Sequence, residues 1–199
     1  MPILDTKHLR PITNPQDLNQ IGESLSWAIR HQSKPRQPLV ITLFKLAEWL
    51  AVPVTNADFA TPIFQERLQK TLSSRKYCDL YALLLGNKQF FAYAVPVTLD
   101  GLYEFRHEMG AFYCALFAGV PEPDFAIISI ESEFYVIVGK ADFVNQILDC
   151  EIQAAFLRFQ NFVMNETPGV FKENLNLVYN QLKDNYQSAE VGAVFRLSP

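Results

Sequence analysis

Residues 124–139 constrain the fold of this 199-residue chain more than any other stretch. Two runs rich in Ile, Val, Phe and Tyr, Phe125–Glu131 and Phe134–Val138, are separated by a short polar turn. β-branched and aromatic residues favour strands, and runs that do not alternate with polar residues are typical of strands covered on both faces. We therefore predict a buried hairpin here, which Gly139 ends.

The composition is that of a globular protein, with 49% hydrophobic and 19% charged residues. A net charge of -4 gives no basic excess, which argues against nucleic-acid binding. No stretch approaches the roughly 18 consecutive apolar residues of a membrane span, and the first eight residues do not resemble a signal peptide. We therefore expect a cytoplasmic protein without a membrane span.

Helical periodicity and start signals predict about six helices. The strongest starts pair an N-cap residue with proline, at Asn14-Pro15, Thr61-Pro62 and Thr167-Pro168. The predicted helices cover 14–31, 61–72, 102–119, 143–148, 152–163 and 168–186. A turn is expected at Asp100-Gly101 and a rigid bend at residues 121–123, and 53–60 is expected to be a loop.

Two segments allow alternative interpretations. Leu39–Phe44 is predicted to be a strand followed by a helix at 45–51, although a single helix from Pro38 also fits the pattern. Asp79–Leu85 either continues the helix that begins at residue 61 or forms a strand ending in a tight turn at Gly86-Asn87. Residues 90–95 are predicted to be a strand in both cases.

Together these segments predict an α+β fold, with a small, mostly antiparallel sheet of three to five strands flanked by about six helices. The single domain is expected at 14–186. An irregular lead-in is expected at 1–13 and a mobile C-terminal tail at 187–199.

Three groups of residues combine apolar strands with aromatic helix faces. They are Leu25–Arg30 with Pro38–Phe44, Glu133–Gly139 with Phe143 and Glu151, and Phe156 with Phe159–Phe162. Together they resemble the DICT sensory domains, which accompany diguanylate cyclases and two-component proteins, notably in cyanobacteria. Lys45 and Phe134 depart from the family, which has Gln and Trp there. The resemblance implies a sensory or docking role in signalling and implies no reaction.

Motifs for catalysis or metal binding are missing from the sequence. It contains no Gly-x-Ser-x-Gly, no Gly-rich phosphate loop and no HxxxH or CxxC spacing, so we predict no catalytic residues, cofactor or metal site. Arg106-His107-Glu108 places a histidine between opposite charges, but neighbours in a helix point in different directions and should not converge. Cys78, Cys114 and Cys150 are expected to be free, mostly buried thiols.

Aromatic residues are abundant, with 16 Phe and 8 Tyr. The favoured interpretation is a large aromatic core, and the alternative is a surface for a flat ligand or a protein partner. The residues of that alternative surface are Phe90, Tyr93, Phe112, Tyr113 and Tyr135. Phe105, Tyr113 and Phe117, on a helix containing Gly110, could equally face a second copy in a homodimer.

These observations favour a non-enzymatic sensory or regulatory domain that binds a small ligand or a protein partner. The alternative function is a structural or assembly factor that docks on a larger complex through exposed aromatic residues.

Overall fold

The computed structural model describes residues 6–28, 30–31, 41–42, 49–85, 91–130, 133–166 and 169–196. The predicted hairpin is confirmed: β8 (Phe125–Ile130) and β9 (Phe134–Lys140) pair antiparallel and are buried at every position except Lys140. Gly139 does not end the second strand. A Cβ there would lie 3.0 Å from the Phe143 ring, so this glycine allows close packing of a helix on the strand.

The prediction of three to five strands is wrong, because the sheet has seven antiparallel strands in the order β1-β6-β5-β7-β8-β9-β4. Its other strands are β1 (Arg10–Ile12), β4 (Trp49–Thr55), β5 (Asp79–Leu84), β6 (Ala92–Pro96) and β7 (Cys114–Ala118). A separate antiparallel pair joins β2 (Arg30–His31) and β3 (Ile41–Thr42).

The described part of the chain has seven α-helices and one π-helical turn, Phe105–Met109. The helices are α1 (Pro15–Ala28), α2 (Asn56–Phe59), α3 (Pro62–Ser74), α4 (Leu99–Glu104), α5 (Ala141–Ile147), α6 (Ile152–Asn165) and α7 (Val170–Arg196). None of them has both the length and the apolar character to cross a membrane.

Three of the seven sheet strands, β1, β4 and β7, were not predicted from the sequence. Two of them, β1 and β4, contain a proline, which is a weak strand former. β4 contains Pro53 and occupies residues assigned to a helix and a loop. It is an edge strand that pairs with β9 along its whole length, and proline is tolerated on an edge. β1 lies in the predicted lead-in and is also an edge strand, paired with β6. Residues 39–40 and 43–48 lie outside the described residues.

The predicted helix at 102–119 is wrong in its second half. Thr98 caps α4, its side chain accepting from the Gly101 N–H, so Asp100-Gly101 lies inside a helix and not in a turn. The chain leaves the helical region after the π-helical turn and enters β7, which is buried between β5 and β8. Burial on both faces favours a strand there despite the helix-like spacing.

The alternative at residues 79–85 is settled in favour of a strand, because β5 pairs antiparallel with both β6 and β7. The proposed turn at Gly86-Asn87 lies outside the described residues. The helix starts at Asn14-Pro15 and Thr61-Pro62 are confirmed by side-chain caps, and the bend at 121–123 is present. Helix α7 extends to Arg196, beyond the boundary expected at residue 186.

Successive side chains of β9 point to opposite faces of the sheet and contact different helices. Tyr135 stacks on Phe59 of α2, with ring centroids 3.7 Å apart. Phe134 points to the opposite face, where its ring lies 5.0 Å from Phe159 of α6. Helices α6 and α7 both pack at the edge strand β4, and they form the layer that contains the candidate site.

Candidate functional site

Helices α6 and α7 form an antiparallel pair joined by residues 166–169. The apolar faces of the two helices point to the sheet, with Phe159 and Leu175 fully buried. At the connected end, the Lys172 ammonium donates to the backbone oxygens of Met164 and Glu166, at 2.8 and 3.1 Å. These bonds satisfy carbonyl groups at the C-terminal end of α6 and fix the two helices together there.

The remote end of the pair opens into a cleft of about 560 Å³. Its lining residues come from α6 and the residue before it and from α7, and they are Glu151, Gln153, Ala154, Phe156, Leu157, Gln160, Tyr179, Lys183 and Tyr186. Small-molecule sites in proteins are typically clefts of roughly 300–1,000 Å³ that combine aromatic walls with a few polar groups. The cleft has that size and that composition.

Three aromatic rings line the cleft. The Phe156 ring centroid lies 6.4 Å from that of Tyr179 and 5.4 Å from that of Tyr186. A flat ligand inserted between two rings needs a separation of about 7 Å, twice the roughly 3.5 Å contact distance. The rings are closer than that, so a ligand would lie across them and not between them.

Polar groups surround this aromatic surface. The Lys183 ammonium lies 5.7 Å from the Tyr179 ring centroid, and among the described residues it has no carboxylate within ion-pairing distance. Gln153 and Gln160 bring amide groups, and Glu151 brings one carboxylate. Among the described residues the lining contains no histidine, cysteine or serine, and its titratable groups are Glu151, Lys183, Tyr179 and Tyr186.

The predicted surface residues lie elsewhere. Tyr93 and Tyr135 belong to the core, at 7% and 1% exposure, and burial raises the pKa of Tyr135 to about 12. Phe112 and Tyr113 are half-buried in the turn before β7, and burial raises the pKa of Tyr113 to about 12 as well. Phe90 lies outside the described residues. None of the four described residues lines the cleft.

The predicted homodimer face does not form as a helix surface. Phe117 is fully buried in β7 and Phe105 is 1% exposed, so neither side chain is available to a second copy. Gly110 is needed for a different reason, since a Cβ there would lie 2.3 Å from the Arg106 backbone oxygen and 2.7 Å from the Tyr135 hydroxyl.

The expectation that Arg106 and His107 point apart is also wrong. The two residues lie in the π-helical turn, and Arg106 Nη2 lies 3.0 Å from His107 Nε2. A π-helical turn is wider than an α-helical one, so it rotates successive residues through a smaller angle. Glu108 is not part of this contact.

The three cysteines are free. Cys114 is fully buried, and burial raises the pKa of its thiol far above the ordinary value, whereas Cys78 is exposed. Among the residues that the structure describes, no three metal-ligating side chains come together.

Sequence reasoning had one signal for the cleft that it did not use. Tyr179, Lys183 and Tyr186 follow one another at spacings of four and three residues, which places them on one face of α7. Comparisons with protein-family models, with curated proteins and with solved structures find no match to this chain. The resemblance to DICT domains therefore stays a prediction.

Proposed function

We propose that this chain is a non-enzymatic regulatory domain that binds a small ligand in the α6–α7 cleft. The observation that carries the proposal is the cleft itself, with an aromatic surface, two amides and an ammonium group that lacks a carboxylate partner among the described residues. The resemblance to DICT domains supports a sensory role, because two residues of its closing aromatic segment, Phe156 and Gln160, line the cleft. A cytoplasmic location is part of the same proposal.

A ligand bound in the cleft would change the angle between the two helices. Their connected end is fixed by Lys172, so closing the open end tilts α7 about that end. Helix α7 continues past the cleft to Arg196, and at 1.5 Å per residue a tilt moves its far end further than the cleft residues. Phe159, which contacts both Phe134 of β9 and Tyr179 of α7, links this motion to the sheet.

A thermal-shift screen of metabolites and nucleotides against the full chain tests the proposal. A ligand present at 100 times its Kd raises the free energy of unfolding by about 2.7 kcal/mol. For a chain of this length that is an increase in Tm of roughly 5–10 °C. The proposal predicts at least one such ligand.

The variant Gln153→Trp tests whether a ligand found in the screen binds in the cleft. Gln153 is an exposed lining residue, so an indole there fills the cleft with little effect on the core, and the ligand-induced shift should disappear. Asn180→Trp is the matched control, because Asn180 is exposed on α7 and is not a lining residue. A shift that survives Gln153→Trp would place the ligand elsewhere, and a screen without any shift would contradict ligand sensing.

A second function, docking on a larger protein complex, is favoured by exposed aliphatic side chains on the same helix pair. Leu157 is 57% exposed, Met164 65% and Leu177 62%. Leu157 and Met164 are seven residues apart and lie on one face of α6. If this function is correct, a stoichiometric partner should copurify with the wild-type chain and be lost with Met164→Ser, while the metabolite screen stays negative.

A further inference from the structure

Three side chains form an exposed cluster on α4 and the π-helical turn. Tyr103, Arg106 and His107 stand at positions i, i+3 and i+4, a spacing that brings side chains together on one helix face. The Arg106 guanidinium carbon lies 5.4 Å from the Tyr103 ring centroid, and the His107 ring centroid lies 4.2 Å from it. Tyr103 is 57% exposed.

The Arg106 guanidinium is held in place by two neighbouring ring side chains. It lies over the Tyr103 ring, and its Nη2 is 3.0 Å from His107 Nε2. Because a guanidinium can only donate hydrogen bonds, His107 Nε2 acts as the acceptor in this contact. Stacking on a ring fixes the plane of a guanidinium, which pre-organises its N–H groups for a ligand.

No carboxylate of the described residues neutralises Arg106. Other arginines are paired: Arg10 with Asp79, Arg75 with Asp142 and Arg158 with Asp149. The Arg106 Nε is buried and has no hydrogen-bond acceptor in the described part of the chain, although buried polar groups are normally satisfied.

The neighbouring carboxylate of Glu104 is engaged elsewhere. It accepts hydrogen bonds from the backbone N–H groups of Lys7, His8 and Leu9, which anchor the N-terminal segment to α4. Burial opposes ionisation of Glu104, but these three bonds and the charge of His8 lower its pKa overall. The Glu104 carboxylate is therefore occupied by the N-terminal segment and does not pair with Arg106.

We propose that Tyr103, Arg106 and His107 form a binding site for a tetrahedral oxyanion, such as the phosphate or sulfate group of a ligand. Arg106 supplies the charge and its terminal N–H groups, a donor pair that matches two oxygens of such an anion. His107 supplies a second contact, and the exposed Tyr103 ring holds the guanidinium in position. None of these residues lines the α6–α7 cleft, so the site is independent of the function proposed above.

An NMR titration of the full chain with sodium sulfate tests this site, with sodium chloride at equal ionic strength as the reference. Saturable shifts are expected at the Tyr103 and His107 rings in sulfate and not in chloride. Arg106→Gln should raise the sulfate Kd by about 10- to 100-fold, the range of one charged hydrogen bond. Arg106→Lys keeps the charge but loses the planar, paired N–H donors of the guanidinium. Its sulfate Kd should therefore lie between those of the wild type and Arg106→Gln.

Arg158→Gln is the matched control, because Arg158 already has carboxylate partners, and its sulfate Kd should equal that of the wild type. If Arg106→Gln does not fold, His107→Ala at its exposed position replaces it, with an expected 2- to 10-fold loss for one neutral hydrogen bond. Equal Kd values for wild type, Arg106→Lys and His107→Ala, or shifts that rise linearly in both salts, would overturn the proposal.

Discussion

Val136→Asp tests whether the central hairpin is sealed on both faces. Val136 is fully buried in β9, with Pro53 of β4 and Ile128 of β8 as its cross-strand partners. Its side chain shares a face with Phe134, which packs on α6. A carboxyl group at this position would be surrounded by apolar side chains.

Three contributions set the size of the effect. Deleting two methyl groups costs about 1.6 kcal/mol at roughly 0.8 kcal/mol per buried carbon. Burial raises the pKa of a carboxyl by up to about 3–5 units, so it stays neutral at pH 7, and this costs about 4 kcal/mol relative to an ordinary pKa of about 3.9. An unpaired neutral carboxyl adds about 1–3 kcal/mol. The total of about 7–9 kcal/mol is most or all of the roughly 5–15 kcal/mol that stabilises a domain.

Urea unfolding followed by circular dichroism measures this loss. Val136→Ala, which keeps only the methyl deletion, should lose about 2 kcal/mol, and Lys140→Asp, at the exposed end of the same strand, about 0.5 kcal/mol or less.

The pH dependence gives a second measurement. The introduced carboxyl has a higher pKa in the folded state than in the unfolded state, so its destabilising effect grows as pH rises, by about 1.4 kcal/mol per unit between pH 4 and 7. A Val136→Asp protein that unfolds cooperatively within 2 kcal/mol of wild type at pH 7 would refute the buried placement.

Three further predictions concern single groups. Glu104→Gln should destabilise the chain at neutral pH. Because the pKa of Glu104 is lowered in the folded state, the stability advantage of the wild type should be lost as pH falls through that lowered pKa. Urea titrations of both proteins at pH 7 and pH 3 would measure this loss. Gly110→Ala should lower Tm by several degrees, since a Cβ meets backbone at 2.3 Å and the Tyr135 hydroxyl at 2.7 Å, and an unchanged Tm would contradict this packing. Cys78 should react quickly with a thiol reagent in the native state, and Cys114 only after unfolding, as mass spectrometry of the labelled peptides would detect.

The helices and strands that could be predicted from the sequence are those whose residue types suit their position in the fold. The hairpin at 125–138 has strand-forming residues and two buried faces, and the starts of α1 and α3 have capping residues followed by proline. The sequence was insufficient for β7, whose helix-like spacing continues that of α4. The deciding factor there is burial between β5 and β8, a tertiary contact that no local pattern contains.

The candidate sites show a related limit. Three of the five aromatic residues selected from the sequence, Phe90, Tyr93 and Tyr135, were on predicted strands. The structure buries Tyr93 and Tyr135 because strands inside a seven-stranded sheet have helices over their side chains. Exposed or half-exposed aromatics occur instead where helix pairs separate, as at Tyr186, or where a helix face has no covering layer, as at Tyr103. Each of these rings has a cation three residues away in sequence, Arg106 near Tyr103 and Lys183 near Tyr186. Both sites proposed for this α+β chain are built on an aromatic residue with a cation at helical spacing, and at Tyr103 and Tyr186 the cation favours a helix face in contact with solvent.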